Sequence, residues 1–134
     1  MVLDVRDTAR YLESIAPDSP EAREIISEVY EKRFVKISCT LGERTVDVWV
    51  YMGPRSDYLI VPRSFCSCKD FMIRVASTRK TLACKHLVGV ELALRLGKKR
   101  DLALDADTCV KIAFEVLEKN LSPTLRKALY TAQQ

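Results

Sequence analysis

Four metal-ligand side chains in two close pairs constrain this chain more than any other feature. Cys66 and Cys68 stand two apart, Cys84 and His86 repeat that spacing after fifteen intervening residues, and His86 is the only histidine. Thiolate and imidazole are donors that tetrahedral zinc accepts, at about 2.3 Å for sulfur and about 2.0–2.1 Å for nitrogen. In extended backbone, residues two apart point the same way, so Cys66 and Cys68 can grip one ion from a strand end. An apolar helical pattern follows the second pair. That places Cys84 before the first turn and His86 inside it, where the positive end of the helix dipole favours a thiolate. Four protein ligands leave no open position for water, so the expected cofactor is one structural zinc ion. A Cys–His nucleophile pair would need the same histidine and a third orienting residue that is not evident. A CxC redox pair would need a thioredoxin-like βαβ setting.

The rest of the composition narrows the class. A chain of 134 residues with 48% apolar and 30% charged residues suits one folded domain and excludes a disordered one. Charges interrupt every apolar run, so no membrane span is expected. The opening MVLDVRDTAR has acids where a signal peptide needs an apolar stretch, which predicts a cytoplasmic protein. Asn120 is the only asparagine and Gln133 and Gln134 are the only glutamines, beside abundant Glu, Lys and Arg; this predicts a thermophilic prokaryotic source. Five cysteines are an odd number for a disulfide scaffold. Cys39 and Cys109 are expected to be small buried hydrophobes rather than a pair, although a thermophile cytosol permits pairing.

The period of the apolar pattern predicts an α+β fold in a single domain, 1–134. Residues 1–31 read as helices, one over 4–16 and a second opened by Asp18-Ser19-Pro20-Glu21, where Asp18 and Glu21 have capping-box spacing. Residues 32–62 read as a three-stranded antiparallel meander. Val46, Val48 and Val50 alternate there with Asp47, Trp49 and Tyr51, and turns fall at Leu41-Gly42-Glu43 and Gly53-Pro54. Residues 63–97 hold the ligands, with Asp70 as the expected cap of a short helix carrying Phe71, Met72, Val75 and Ala76. Residues 98–134 read as further helices, the first begun by Asp107 with Val110, Ala113, Phe114 and Leu117 on one face.

Charge is uneven along the chain. Residues 60–100 carry ten basic and two acidic groups, while the first thirty carry three and seven. Arg63, Lys69, Arg74, Arg79, Lys80, Lys85, Lys98, Lys99 and Arg100 are therefore candidate phosphate contacts, with Tyr51, Tyr58 and Phe65 as candidate stacking surfaces. The competing expectation is a solvated basic face, with aromatics in the core. Protein contact is then carried by the amphipathic helices at 4–16 and 107–119 or by an edge of the meander.

CxC followed at a distance by CxH resembles the signature of SWIM-type zinc fingers. The chain is most similar to the short branch that works with RecA-family recombinase paralogues in Shu-type recombination complexes. The likeness rests on Phe65-Cys66-Ser67-Cys68, a fifteen-residue spacer with an aromatic at Phe71, and Leu82-x-Cys84-Lys85-His86-Leu87, within residues 30–97. Lys69 stands where many members carry proline. The resemblance implies a non-catalytic accessory protein. It would bind a RecA-family recombinase paralogue and support recombinase filaments on single-stranded DNA during repair. The alternative is an independent nucleic-acid-binding zinc module, such as a transcriptional regulator. Neither reading involves a membrane or a small-molecule substrate.

Overall fold

The structure is a computed structural model that describes residues 5–132. A five-stranded sheet in the order β4-β3-β2-β1-β5 divides seven helices between its two faces. Strands β1 (Phe34–Leu41) and β2 (Arg44–Met52) form a long hairpin closed by Gly42-Glu43, with Gly42 in the left-handed region at φ +62°. Strand β3 (Asp57–Val61) completes the expected meander, and the short β4 (Phe65–Cys66) extends it antiparallel.

The fifth strand corrects the expectation that residues 98–134 are helical throughout. Strand β5 (Arg100–Asp105) lies parallel to β1, pairing Val35 with Arg100 through Thr40 with Asp105. It alternates half-buried and exposed residues, but only Leu102 and Leu104 in it are large and apolar. So short an alternation, between a basic run and a helix, carries little period-two signal.

Alternation along β1 and β2 separates two cores. Phe34, Trp49 and Tyr51 pack with helices α1 (Val5–Ser14), α2 (Pro20–Arg23), α3 (Ile26–Tyr30) and α4 (Lys85–Leu96). Val35, Ile37 and Val50 face α5 (Ala106–Lys119) and α6 (Pro123–Ala132). Three capping details differ from expectation. Ser19 Oγ, not Asp18, accepts the Ala22 N–H at 3.3 Å, with Pro20 next in the chain. Asp105, two residues before the expected start, caps α5 by accepting from the Thr108 N–H at 3.1 Å. Asp70 makes no capping bond and pairs with Arg74 instead. Asn120, the lone asparagine, closes α5 at φ +58°, a conformation asparagine tolerates better than most residues.

Two further features concern α5, the second of them a correction. Its buried face is Cys109, Ile112 and Val116; Val110, Phe114 and Leu117 face solvent. Cys39 and Cys109, expected to be unpaired, form a disulfide between β1 and α5 across 70 residues of sequence. Alternation in β1 turns Cys39 toward α5, and the helix period puts Cys109 on its buried face, so the two sulfurs meet. No helix among the described residues is long and apolar enough to cross a membrane.

Gly89 shows how tightly α4 is seated. A Cβ there would lie 2.3 Å from Phe34 Cζ and 2.7 Å from Ile25 Cγ1, both on fully buried residues. Helix propensity favours Gly89→Ala by about 1 kcal/mol, but overpacking a core costs about 1–3 kcal/mol or more. An overlap against a buried aromatic ring decides the sign. Gly89→Ala should lower the unfolding free energy measured in urea by an amount within that range, and a raised value would contradict the packing described.

Candidate metal centre

Two elements deliver the ligands. Cys66 ends β4 opposite Ile60 of β3, and Ser67 continues the pairing: its N–H donates to Leu59 O at 3.0 Å, and its hydroxyl accepts from Leu59 N at 2.9 Å. Cys68 follows directly. Cys84 is the N-cap of α4, extended at φ −86° and ψ 170°, and His86 lies in the first turn. The spacer between the pairs is held by Phe71 and Val75, both buried, on a π-helical turn over Phe71–Ser77. Phe71 also meets the Phe65 ring edge-on at 5.5 Å.

The four ligand atoms lie within 4.8 Å of one another, and all four residues are buried. Cys66 Sγ is 3.8 Å from His86 Nδ1. Zinc–sulfur and zinc–nitrogen bonds of ordinary length, set at tetrahedral angles, give ligand–ligand edges of about 3.6–3.8 Å. The cluster is close to the size one ion needs, and Cys66, Cys68, Cys84 and His86 would hold it after a small contraction.

Crowding three thiols in one buried site splits their acidities. Hydrogen bonds from Cys66 and Cys84 hold the Cys68 thiol well below the usual range, helped by the Phe71 N–H at 3.3 Å. Cys66 is driven upward, first by its bond to Cys68 and then by Cys84 and burial. Cys84 is pushed up to about 12: its bond with Cys66 lowers it, but Cys68 and burial outweigh that. Cys66, Cys68, Cys84 and His86 would hold a dication there, and its charge would favour the thiolate forms of the three cysteines.

His86 is wedged between aromatics, with Tyr51 at 4.5 Å and Tyr58 at 5.0 Å between ring centroids. The Tyr51 hydroxyl donates to Glu28 on α3; burial and this carboxylate hold its phenol above the ordinary range. Tyr51 and Tyr58 thus fix the imidazole, a role the sequence did not reveal; read from sequence they were candidate stacking surfaces.

Among known proteins no family model, no curated protein and no solved structure matches this chain. The centre itself is the functional fact: a buried Cys₃His cluster able to hold one metal ion.

The structure disperses the basic residues. Arg63 is spent internally: its Nε and Nη2 donate to the two oxygens of buried Glu91, each at 3.0 Å, and its Nη1 reaches Glu13 at 2.9 Å. Arg74 pairs with Asp70 at 3.1 Å, Lys99 with Asp101 at 2.7 Å, and Lys98 lies over the Tyr30 ring. Arg100 is on β5, the edge opposite β4. Four strand spacings make that roughly 19 Å from the ligands. Lys69 and Lys85, both exposed, remain beside the centre and line a cleft of about 550 Å³ with Arg74, His86, Glu24 and Asp70. Arg79 and Lys80 are exposed on the spacer.

Glu91 is the residue sequence reading missed. It also faces Arg95 at 3.6 Å, whose guanidinium donates to the carbonyls of Leu12 and Ile15. One buried carboxylate thus ties α4 to the β3–β4 turn and to the end of α1. The available signal was a lone acid inside the apolar run Gly89-Val90-Glu91-Leu92-Ala93-Leu94.

Proposed function

We propose that this chain is a zinc-stapled, non-catalytic accessory protein of homologous recombination, acting by binding a RecA-family recombinase paralogue, with single-stranded DNA as a further ligand. The observation that supports it is the convergence of Cys66, Cys68, Cys84 and His86 in CxC…CxH order on one closed, buried site. Three soft thiolates with one imidazole in a tetrahedron suit zinc above the harder divalent ions. Zinc bound there supplies cohesion rather than reactivity, because the four side chains fill its coordination sphere. Three thiolates and a neutral imidazole around a dication leave one negative charge, and Lys69 and Lys85 are placed to offset it. The recombination assignment draws on the likeness of the spacing to SWIM-type fingers.

DNA contact, on this reading, uses Lys69, Lys80 and Lys85 and is sequence-independent, since phosphate contacts carry no base information. The second reading, an independent nucleic-acid-binding zinc module, is favoured by the same lysines and differs in needing no ATPase. One experiment separates them. Tagged protein expressed in its source cells should co-purify a RecA-like ATPase, and a pull-down that recovers none would defeat the recombination role. In parallel, Lys69→Ala/Lys85→Ala should weaken binding to a single-stranded oligonucleotide and flatten its log–log salt dependence by about 1.4, at about 0.7 per phosphate contact. An unchanged slope would remove DNA from both readings.

A further inference from the structure

Helix α5 presents its broadest apolar side outward. Val110, Phe114 and Leu117 are 54%, 61% and 54% exposed, at the i, i+4 and i+7 positions of one stripe. Large apolar residues scattered singly need no explanation, but a contiguous stripe on a solvent-facing helix does. The sheet beside it adds to the surface. Val46 and Val61 are 58% and 50% exposed, and alternation places them on the same sheet face as Val48 and Leu59, which pack against the α5 core. Val46 lies directly opposite Cys39, whose disulfide partner Cys109 precedes Val110 in the chain.

The stripe is complementary to itself. Val110 stands four residues before Phe114 and Leu117 three after it; Lys111 stands three before and Glu118 four after. Lys111 and Glu118 are both exposed and run along the flank of the stripe opposite Leu117. A two-fold axis through Phe114 lays two α5 helices antiparallel. It sets Phe114 on Phe114, Val110 on Leu117 of the second copy, and Lys111 against Glu118 of the second copy. Each contact then occurs twice, which is the mark of an isologous interface. A parallel pairing would instead carry the two copies of this charged flank to opposite sides of the seam, where Lys111 of one and Glu118 of the other do not meet. Glu115, the acid one turn from Lys111, is occupied by Ser122 and Thr124 of its own chain, so the Lys111 ammonium keeps capacity for a second carboxylate.

We propose that the exposed face of α5, with the adjoining valines of the sheet, is a homodimer interface in which two copies pair antiparallel about Phe114. This surface lies on the sheet face opposite α1–α4 and the packing around the metal centre, so dimerisation leaves Lys69 and Lys85 open and doubles them in one particle.

The test is a concentration series of the metal-loaded full chain by sedimentation equilibrium. Wild type should be dimeric. Phe114→Glu should weaken the dimer by about thirtyfold or more, as loss of a central anchor does, with the far-ultraviolet spectrum and metal content unchanged. Lys111→Glu and Glu118→Lys should each weaken it, and the double swap should restore it. A wild type that is monomeric at its highest soluble concentration overturns the inference and leaves the stripe to a different protein. So does a dimer indifferent to Phe114→Glu. A dimer broken by Phe114→Glu but not restored by the double swap overturns the antiparallel pairing.

Discussion

Removing the metal, by chelation or by Cys84→Ala or His86→Ala, should unfold the half of the protein built on the α1–α4 side of the sheet. Cys66, Cys68 and Cys84 are not appended to that core; they belong to it, packed with Phe71, Val75, Leu87 and Trp49. A structural zinc ion contributes on the order of 10 kcal/mol to the folding of its segment, against a net domain stability of about 5–15 kcal/mol. Few packing changes compete with that magnitude. Without an ion the four buried ligands lose their common partner, and the fifteen-residue spacer relies on the packing of Phe71 and Val75. The chain carries a built-in reporter, since Trp49 is its only tryptophan and is 4% exposed in this core. Elemental analysis should find one zinc per chain in wild type and none in Cys84→Ala. Chelation should shift Trp49 emission to the red and abolish the cooperative thermal transition of this half. Metal-free protein that keeps its buried tryptophan and its melting temperature would refute a structural metal.

Why the ligands were legible and much else was not follows from the range over which each signal acts. Cys66-x-Cys68 and Cys84-x-His86 are local patterns of metal-ligand side chains, so spacing alone marks them as candidates for the one cluster they form. The β1–β2 hairpin is legible for a similar reason: Val46, Val48 and Val50 alternate without interruption, and a glycine turn precedes them. Strand β5 takes its identity from β1, more than fifty residues earlier, through parallel pairing that leaves no local mark. On α5 the sequence offers two apolar faces, Cys109-Ile112-Val116 and Val110-Phe114-Leu117. The larger residues sit on the face that stays outside, so size alone picks the wrong one. Basic residues are the least legible of all. A charge count cannot tell a lysine open to solvent, such as Lys69, from an arginine locked onto buried Glu91, as Arg63 is.

Replacing both members of the Cys39–Cys109 pair should have the second-largest effect and should act on the other core. A metal held by Cys66, Cys68, Cys84 and His86 would staple the α1–α4 side; the disulfide ties β1 to α5, where Ile37, Val50, Ile112, Val116, Leu125 and Leu129 pack. On the chain-entropy account, a covalent loop of about 70 residues restricts the unfolded ensemble by about 4 kcal/mol at 25 °C. The double variant Cys39→Ala/Cys109→Ala is the better probe than serine, because a buried hydroxyl without a partner would add its own penalty of about 1–3 kcal/mol. In metal-loaded protein the variant should lower the unfolding free energy by roughly 2–5 kcal/mol, while Trp49 emission in the native state stays unchanged. Thiol titration of denatured, metal-stripped wild type should find three free cysteines, Cys66, Cys68 and Cys84. Five titratable thiols, or an alanine pair as stable as wild type, would leave the α5 side held by packing alone. Because the two staples grip opposite faces of one sheet, chelator and reductant should loosen different halves, and each half should report its own loss.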